Sequence, residues 1–372
     1  MPLKVLIIPD KFKGTLTARA AAQAIARGWL KARPDDSLVL LPMSDGGDGF
    51  GEVLSGLLNA KVQSVQTVDA AHRPCAAKWW WEPKTKTAVI ETATVIGLAM
   101  LPAKQFHPFQ LDTFGVGAVV RAAASRGARR CLLGIGGSAT NDGGFGLARA
   151  LGWEFRDAQE KPIKQWTDLN RLKQIHAPRK RRWFRHLILA LDVQNPLLGS
   201  RGATRIYGPQ KGLRDFASAE SCLRRLAQVV KRRFGHDFAQ EPGSGAGGGL
   251  GFGLMAFEAA RGEPGFDVFA RHAALERRLD WADLVITGEG AIDTSTLMGK
   301  GVGRIAMRCR QLDVPCIALG GTMAANPERQ PVFTETHALT ELTSVERAKA
   351  RPAYWLERLA ASSAKEWTKV AG

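Results

Sequence analysis

Apolar and polar positions alternate along this chain on two different scales. Continuous apolar runs appear at "KVLIIPD" (4–10), "SLVLLPMSDGGDG" (37–49), "LILALDVQNP" (187–196) and "DLVITGEGAID" (283–293). An unbroken run of this length marks a strand covered on both faces, and so a parallel sheet flanked by helices. Helical stretches lie between the runs, such as "LTARAAAQAIARGWLKARP" (16–34), capped early by Thr17 and stopped by Pro34. Each apolar run ends on a carboxylate: Asp10, Asp45, Asp192, and Glu289 with Asp293. One acidic residue at a strand end is usually a helix cap. Four strands delivering one are harder to assign to capping, because open α/β sheets bind ligands just beyond the carboxyl ends of their strands.

Residues 61 to 100 have another texture. Short β-rich stretches are separated by turn residues, and "PKTKT" reads as a hairpin loop. This antiparallel character inside a parallel pattern predicts an inserted domain: residues 1–60 and 282–372 form a main α/β domain, and 61–281 a second α/β domain within it. The run Trp79-Trp80-Trp81 is expected to alternate between core and surface, since a strand has period two.

Two segments are dense in glycine. "GIGGSATNDGG" (134–144) follows the apolar stretch Cys131-Leu132-Leu133, read as a strand end, and precedes a helical stretch from Phe145 to Leu151. A strand, a glycine turn and a helix start leave amides pointing outward, which is an anion cradle. The alternative is a tight turn that needs glycine for its dihedrals alone. "PGSGAGGGLGFG" (242–253) opens a second helical stretch, Leu250 to Arg261. Two cradles suit a ligand with more than one phosphate. Lysines sit beside glycine at Lys13, Lys211 and Lys300, where a phosphate contact is plausible although most lysines are merely solvated. No P-loop pattern occurs. Gly134, Gly136 and Ala139 match GxGxxA, with Glu154 placed for a ribose contact, so a nicotinamide enzyme has to be weighed. A second turn at Thr140–Gly144, where such a fold is already helical, argues against it. Phosphoryl transfer, which needs Mg²⁺, lysine and backbone amides around spread negative charge, uses the carboxylates as well.

Bulk properties add limits. At 372 residues two domains fit, no apolar run approaches membrane-spanning length, and the N-terminus lacks the features of a signal peptide. Five cysteines without paired spacing point to reduced thiols, no structural zinc and a cytoplasmic setting. The net charge of +17 is concentrated in 171–186 and 224–236. No nucleic-acid-binding motif surrounds either segment, so solvated basic surface is the reading preferred over a nucleic-acid partner.

Eight stretches carry a family resemblance: "PDKFKGTLTA", "PMSDGGDG", "DTFGVG", "GIGGSATNDGGFG", "LDVQNPLLGSRGA", "GPQKG", "PGSGAGGGLG" and "DLVITGEGAIDTSTLMGKG". In this order they resemble the bacterial glycerate kinases of the first class from end to end. The resemblance implies a parallel-sheet Rossmann- or flavodoxin-like domain with a second α/β domain inserted, and the active site in the cleft between them. It implies ATP and Mg²⁺ as cofactors and D-glycerate as substrate, with 2-phosphoglycerate as product; a glycerate 3-kinase or another small hydroxy-acid kinase stays open. On this reading Asp45, Asp192 and Glu289 serve the metal, and Asp192 takes or orients the proton of the substrate hydroxyl, its direction fixed by Asn195. Lys13, Lys211 and Asp45 complete the catalytic set. Gly136, Gly137, Ser138, Asn141, Asp142, Gly245, Gly247, Gly248, Gly249 and Lys300 bind the nucleotide. Lys11 and Gln194 depart from the family pattern, Gln194 where an acidic residue is frequent, which casts doubt on a metal role there. Oligomeric state is left open.

Overall fold

The computed structural model describes residues 1–297, 301–323 and 332–370. In chain order the described strands are β1 (Lys4–Pro9), β2 (Ser37–Leu40), β3 (Lys61–Val68), β4 (Pro74–Glu82), β5 (Thr87–Glu91), β6 (Arg130–Gly134), β7 (Glu154–Arg156), β8 (Gln174–His176), β9 (His186–Leu191), β10 (Arg261–Pro264), β11 (Leu284–Ile292), β12 (Cys316–Met323) and β13 (Glu335–Ala338). The chain divides into two compact units, one of residues 1–45 with 269–372 and one of residues 46–268. The joints therefore fall earlier than the expected 60/61 and 281/282. The first joint moves because the helix Phe50–Leu58 lies on β4 and β5. The second moves because the helix Leu275–Trp281 meets β1.

The first unit is built on a parallel five-stranded sheet in the order β13-β12-β11-β1-β2. Counted within the unit this is the doubly wound order 2-1-3-4-5, whose topological switch point lies between β1 and β11. Both faces are covered, and Val5, Leu6, Ile7 and Ile8 are wholly buried, as the continuous run predicts. Thr17 caps the helix Ala18–Ala32 by accepting from the Ala20 amide at 3.1 Å. That helix lies so close to the helix Pro352–Val370 that Gly28 has no room for a Cβ beside the Glu357 carbonyl. Arg27 and Lys31 both pair with Glu357 across the same seam.

The second unit holds a six-stranded sheet in the order β10-β9-β6-β5-β4-β3. β3 pairs antiparallel with β4 and β4 with β5, while β5, β6, β9 and β10 are parallel. The antiparallel texture of 61–100 is thus real, and 83–86 is its hairpin loop, with Glu82 accepting from the Lys84 and Thr85 amides at 2.8 and 2.6 Å. The tryptophans alternate, but not between core and surface. Trp79 and Trp81 enter the large core of the unit, whereas Trp80 enters a second core with Phe50 and Leu54. The face expected to meet solvent is roofed by the helix Phe50–Leu58, in which Gly51 makes room for the Trp80 ring.

One buried acid in this unit has a readable titration. Glu258, at the end of the helix Ala246–Glu258, is 4% exposed, and burial pushes its carboxyl up from 4.5 to about 8. Its Oε2 accepts from the Trp183 amide at 3.3 Å, while Oε1 has no partner among the described residues. The unfolded chain releases this proton near pH 4.5 and the folded chain keeps it to about pH 8, so stability is full below 4.5 and is lost as pH rises through 8. Glu258→Gln should remove that loss: its Tm gains on the wild type steadily from pH 5 to pH 8 in thermal melts. Parallel Tm–pH curves would exclude a buried neutral Glu258.

Candidate active site

Three carboxylates gather at the carboxyl edge of the first unit's sheet. Asp10 follows β1, Asp45 follows β2, and Glu289 lies in β11, so two of them flank the switch point. The Asp10 amide donates to the Gly288 carbonyl at 2.8 Å, which places Asp10 beside Glu289. Burial, the charge of Asp45 and, last, that of Glu289 push the Asp10 carboxyl up to about 7, against the pull of the Lys11 amide and ammonium. Glu289 accepts from Thr296 Oγ1 at 2.8 Å, and Asp293 is engaged with the Thr296 amide at 3.3 Å. Lys13 is exposed in the turn after β1, its backbone near Gly290 of β11. These are hard oxygen donors in a like-charged group that a divalent cation would relieve. Among the described residues no group of three or more His, Cys, Asp or Glu side chains is placed to hold a metal ion by itself. Mg²⁺ does not require such a group, because it binds through one or two carboxylates and completes its shell with water and phosphate oxygens.

In the second unit the two glycine segments turn out to be partners. The Gly143 amide donates to the Gly248 carbonyl at 3.1 Å. A Cβ on Gly249 would stand 2.7 Å from Gly143 Cα, and one on Gly144 2.8 Å from Gly253 Cα. Gly247, Gly248 and Gly249 take three successive left-handed conformations inside the helix Ala246–Glu258. Here glycine serves backbone-to-backbone packing. Gly245, Gly248 and Gly249 are buried by it, so the second segment is not the open cradle its composition suggests.

The helix start after "GIGGSATNDGG" is also occupied. The Asp142 carboxylate accepts from the Gly146 amide at 2.8 Å, the Gly144 amide at 3.3 Å, and the Thr113 amide and hydroxyl at 3.0 and 2.8 Å. It takes the place a phosphate was expected to fill. Burial and the charge of Asp112 raise Asp142 to about 6. Earlier in the loop the picture differs. Gly137 is exposed with φ +72°, and the amides of Gly136 and Gly137 donate no hydrogen bond among the described residues. Gly136 lies against Gly47, where a Cβ would come within 2.7 Å of its Cα, and Gly137 lies against the Asp48 carboxylate. Ser138 turns inward, its hydroxyl 2.8 Å from Thr140 Oγ1. Two free amides therefore remain of the expected cradle, at residues 136 and 137.

Lys211 is not an open phosphate ligand. It is 8% exposed, its Nζ donates to the Thr140 carbonyl at 2.6 Å, and burial lowers its pKa to about 8 against the pull of Asp142. It holds the glycine loop from beneath. Asn141 Nδ2 donates to Thr204 Oγ1 at 3.1 Å, while its Oδ1, fully buried, has no partner among the described residues. Asp192 is exposed after β9; burial and, after it, the Asp192 charge push the Tyr207 hydroxyl up to about 12. Asn195, expected to orient Asp192, spends its side chain on its own turn: Nδ2 donates to the Arg201 carbonyl at 2.8 Å and Oδ1 accepts from Tyr207 at 2.6 Å. Lys300 lies outside the described residues. The dinucleotide pattern fails in its context, since no helix begins until Phe145 and Glu154 sits in a short hairpin beside Arg156.

The family model described as "Glycerate kinase family" matches residues 5–368. The chain belongs to the glycerate kinase family. Among its relatives are a glycerate kinase of Haemophilus influenzae, 33% identical with 92% of this chain and 94% of the relative covered, and the glycerate 2-kinase of Escherichia coli, 34% identical with 86% of each covered. A crystal structure of a candidate glycerate kinase 2 from Salmonella typhimurium superposes with a TM-score of 0.83 over 99% of both chains, at 32% identity. The protein is accordingly a kinase, with a nucleotide and a small molecule as its reactants.

Sequence reasoning passed over several residues that build this kinase's loops. Asp10 was legible as a strand-end carboxylate in "KVLIIPD", yet its position at the switch point depends on a pairing of β1 with β11 across 279 positions of chain. Glu91 accepts from the Gly49 and Gly51 amides, each at 2.9 Å, and so fixes the start of the helix Phe50–Leu58 after "SDGGDG". Thr113, within "DTFGVG", holds Asp142. Tyr207 has no local signal at all.

Proposed function

We propose that this kinase transfers the γ-phosphoryl group of ATP to D-glycerate, in the presence of Mg²⁺, giving 2-phosphoglycerate. The observation that carries the reading is the carboxylate group at the switch point of the first unit, with Asp10 pushed up to about 7 by burial and, after it, by the charges of Asp45 and Glu289. Asp45 and Glu289 would hold Mg²⁺, which neutralises phosphate charge when bound. Thr296 orients Glu289 by its hydrogen bond. Asp192 accepts or orients the proton of the substrate hydroxyl, a poor nucleophile at neutral pH without such help. The free amides of Gly136 and Gly137 receive a phosphate oxygen, and no Cβ stands in the way of that approach. Lys13, exposed near the carboxylates, meets anionic groups of the reactants. Lys211 and Asp142 keep the loop in place, one from the Thr140 carbonyl and the other from the amides of 144 and 146.

The test is ADP release. With D-glycerate and Mg²⁺ the protein should convert ATP to ADP, and a chelator should stop the reaction. Reduction of NAD⁺ by a hydroxy acid with no ATP turnover would contradict the reading.

A further inference from the structure

The two basic segments, separated in sequence, form one groove in the second unit. Lys173, His176 and Arg181 come from the first, and Arg232 and Arg233 from the end of the helix Phe216–Phe234. They surround a space of about 610 Å³ floored by the buried Ile175 and Val229. None of the five basic side chains forms an ion pair among the described residues, although other arginines of the unit do, such as Arg156 with Glu154 and Arg171 with Asp168. The acidic groups near this edge are engaged: Glu154 lies opposite His176 in the β7–β8 ladder but pairs with Arg156, and Glu160 accepts from Gln174 at 2.8 Å. The groove is therefore lined by five potential cations and no carboxylate.

We propose that this groove binds a small polyanion, a molecule with two or more phosphate or carboxylate groups. Like charges around one groove repel one another, and a multivalent anion relieves them together. Two adjacent arginines supply fork-shaped donors that match phosphate and carboxylate oxygens in pairs. The volume is that of a small-ligand site. No Phe, Tyr or Trp lines it for stacking on bases, and Trp183 nearby is covered by Lys180 at 4.0 Å, which argues for a compact anion over single-stranded nucleic acid. The groove also adjoins the glycine loop through one element: the helix Phe216–Phe234 that carries Arg232 and Arg233 places Leu223 and Leu226 against Gly143.

The experiment is calorimetric titration of the full chain with tripolyphosphate, with citrate, and with a single-stranded oligonucleotide, in the wild type and in Arg232→Gln/Arg233→Gln. These side chains are exposed, so the fold is not at issue. The structure leads us to expect a tripolyphosphate or citrate site that weakens at least tenfold in the variant, with KM for ATP unchanged. A preference for tripolyphosphate over citrate would assign the site to phosphates, and the reverse to carboxylates. Equal affinity in both proteins, or no binding beyond what ATP displaces, would overturn the proposal. Tight, salt-sensitive oligonucleotide binding that neither small anion displaces would overturn it in favour of a nucleic-acid surface.

Discussion

Asp192→Asn should fold as the wild type does and lose kcat by roughly 10²–10⁴, the usual contribution of a positioned base or proton acceptor. Asparagine keeps the shape of the side chain but cannot take a proton or carry its charge. Because Asp192 is exposed, removing the charge exacts little from the core. A second readout separates chemistry from simple misfolding. The Tyr207 hydroxyl is held near 12 partly by the Asp192 charge, so its titration, followed by ultraviolet absorbance, should move down in the variant. A variant that keeps a third of wild-type kcat would remove Asp192 from the mechanism, whatever Tyr207 does.

Gly248→Ala should be strongly destabilising to the second unit. A Cβ there would lie inside the van der Waals shell of the Thr140 carbonyl oxygen, at φ +69°, while the carbonyl of Gly248 itself accepts from the Gly143 amide. Overpacking and left-handed strain together should cost on the order of 3 kcal/mol or more. In a unit of this size that lowers Tm by roughly 6–12 °C. Gly235→Ala is the control. It has a similar φ of +72° but open space around its Cβ, so only the strain of about 1 kcal/mol remains. Equal melting temperatures for the two variants would mean that the glycine segments are not locked together as described.

The outline of both units was legible because their strands announce themselves. β1, β9 and β11 are continuous apolar runs, and such a run has few alternatives to a doubly covered strand. The antiparallel β3–β5 stretch was equally plain from its turn residues. What the pattern could not supply was which surfaces meet. The purpose of the glycines in 134–144 is the clearest case. Composition alone admits a phosphate cradle or a dihedral requirement, but Gly143 and Gly144 are needed because a second glycine segment a hundred residues later presses against them. Gly137 combines a positive φ with a close neighbour at Asp48, so a bulky residue there tests packing and phosphate approach at once and cannot separate them. Lys211 illustrates the same limit, for a lysine beside glycine reads as an open phosphate ligand until the chain folds over it. One face of Trp79-Trp80-Trp81 reads as surface until the helix Phe50–Leu58 is laid across Trp80.

The most direct test of the central claim is the identity of the product. Incubated with ATP, Mg²⁺ and D-glycerate, the protein should give a single phosphorus NMR signal for a new phosphomonoester, split by one carbon-bound proton as the 2-phosphate of glycerate requires. A signal split by two protons of one methylene group would mean phosphorylation at the 3-hydroxyl and would contradict the proposed regiochemistry. No new phosphomonoester at all, with ATP intact, would contradict glycerate phosphorylation itself.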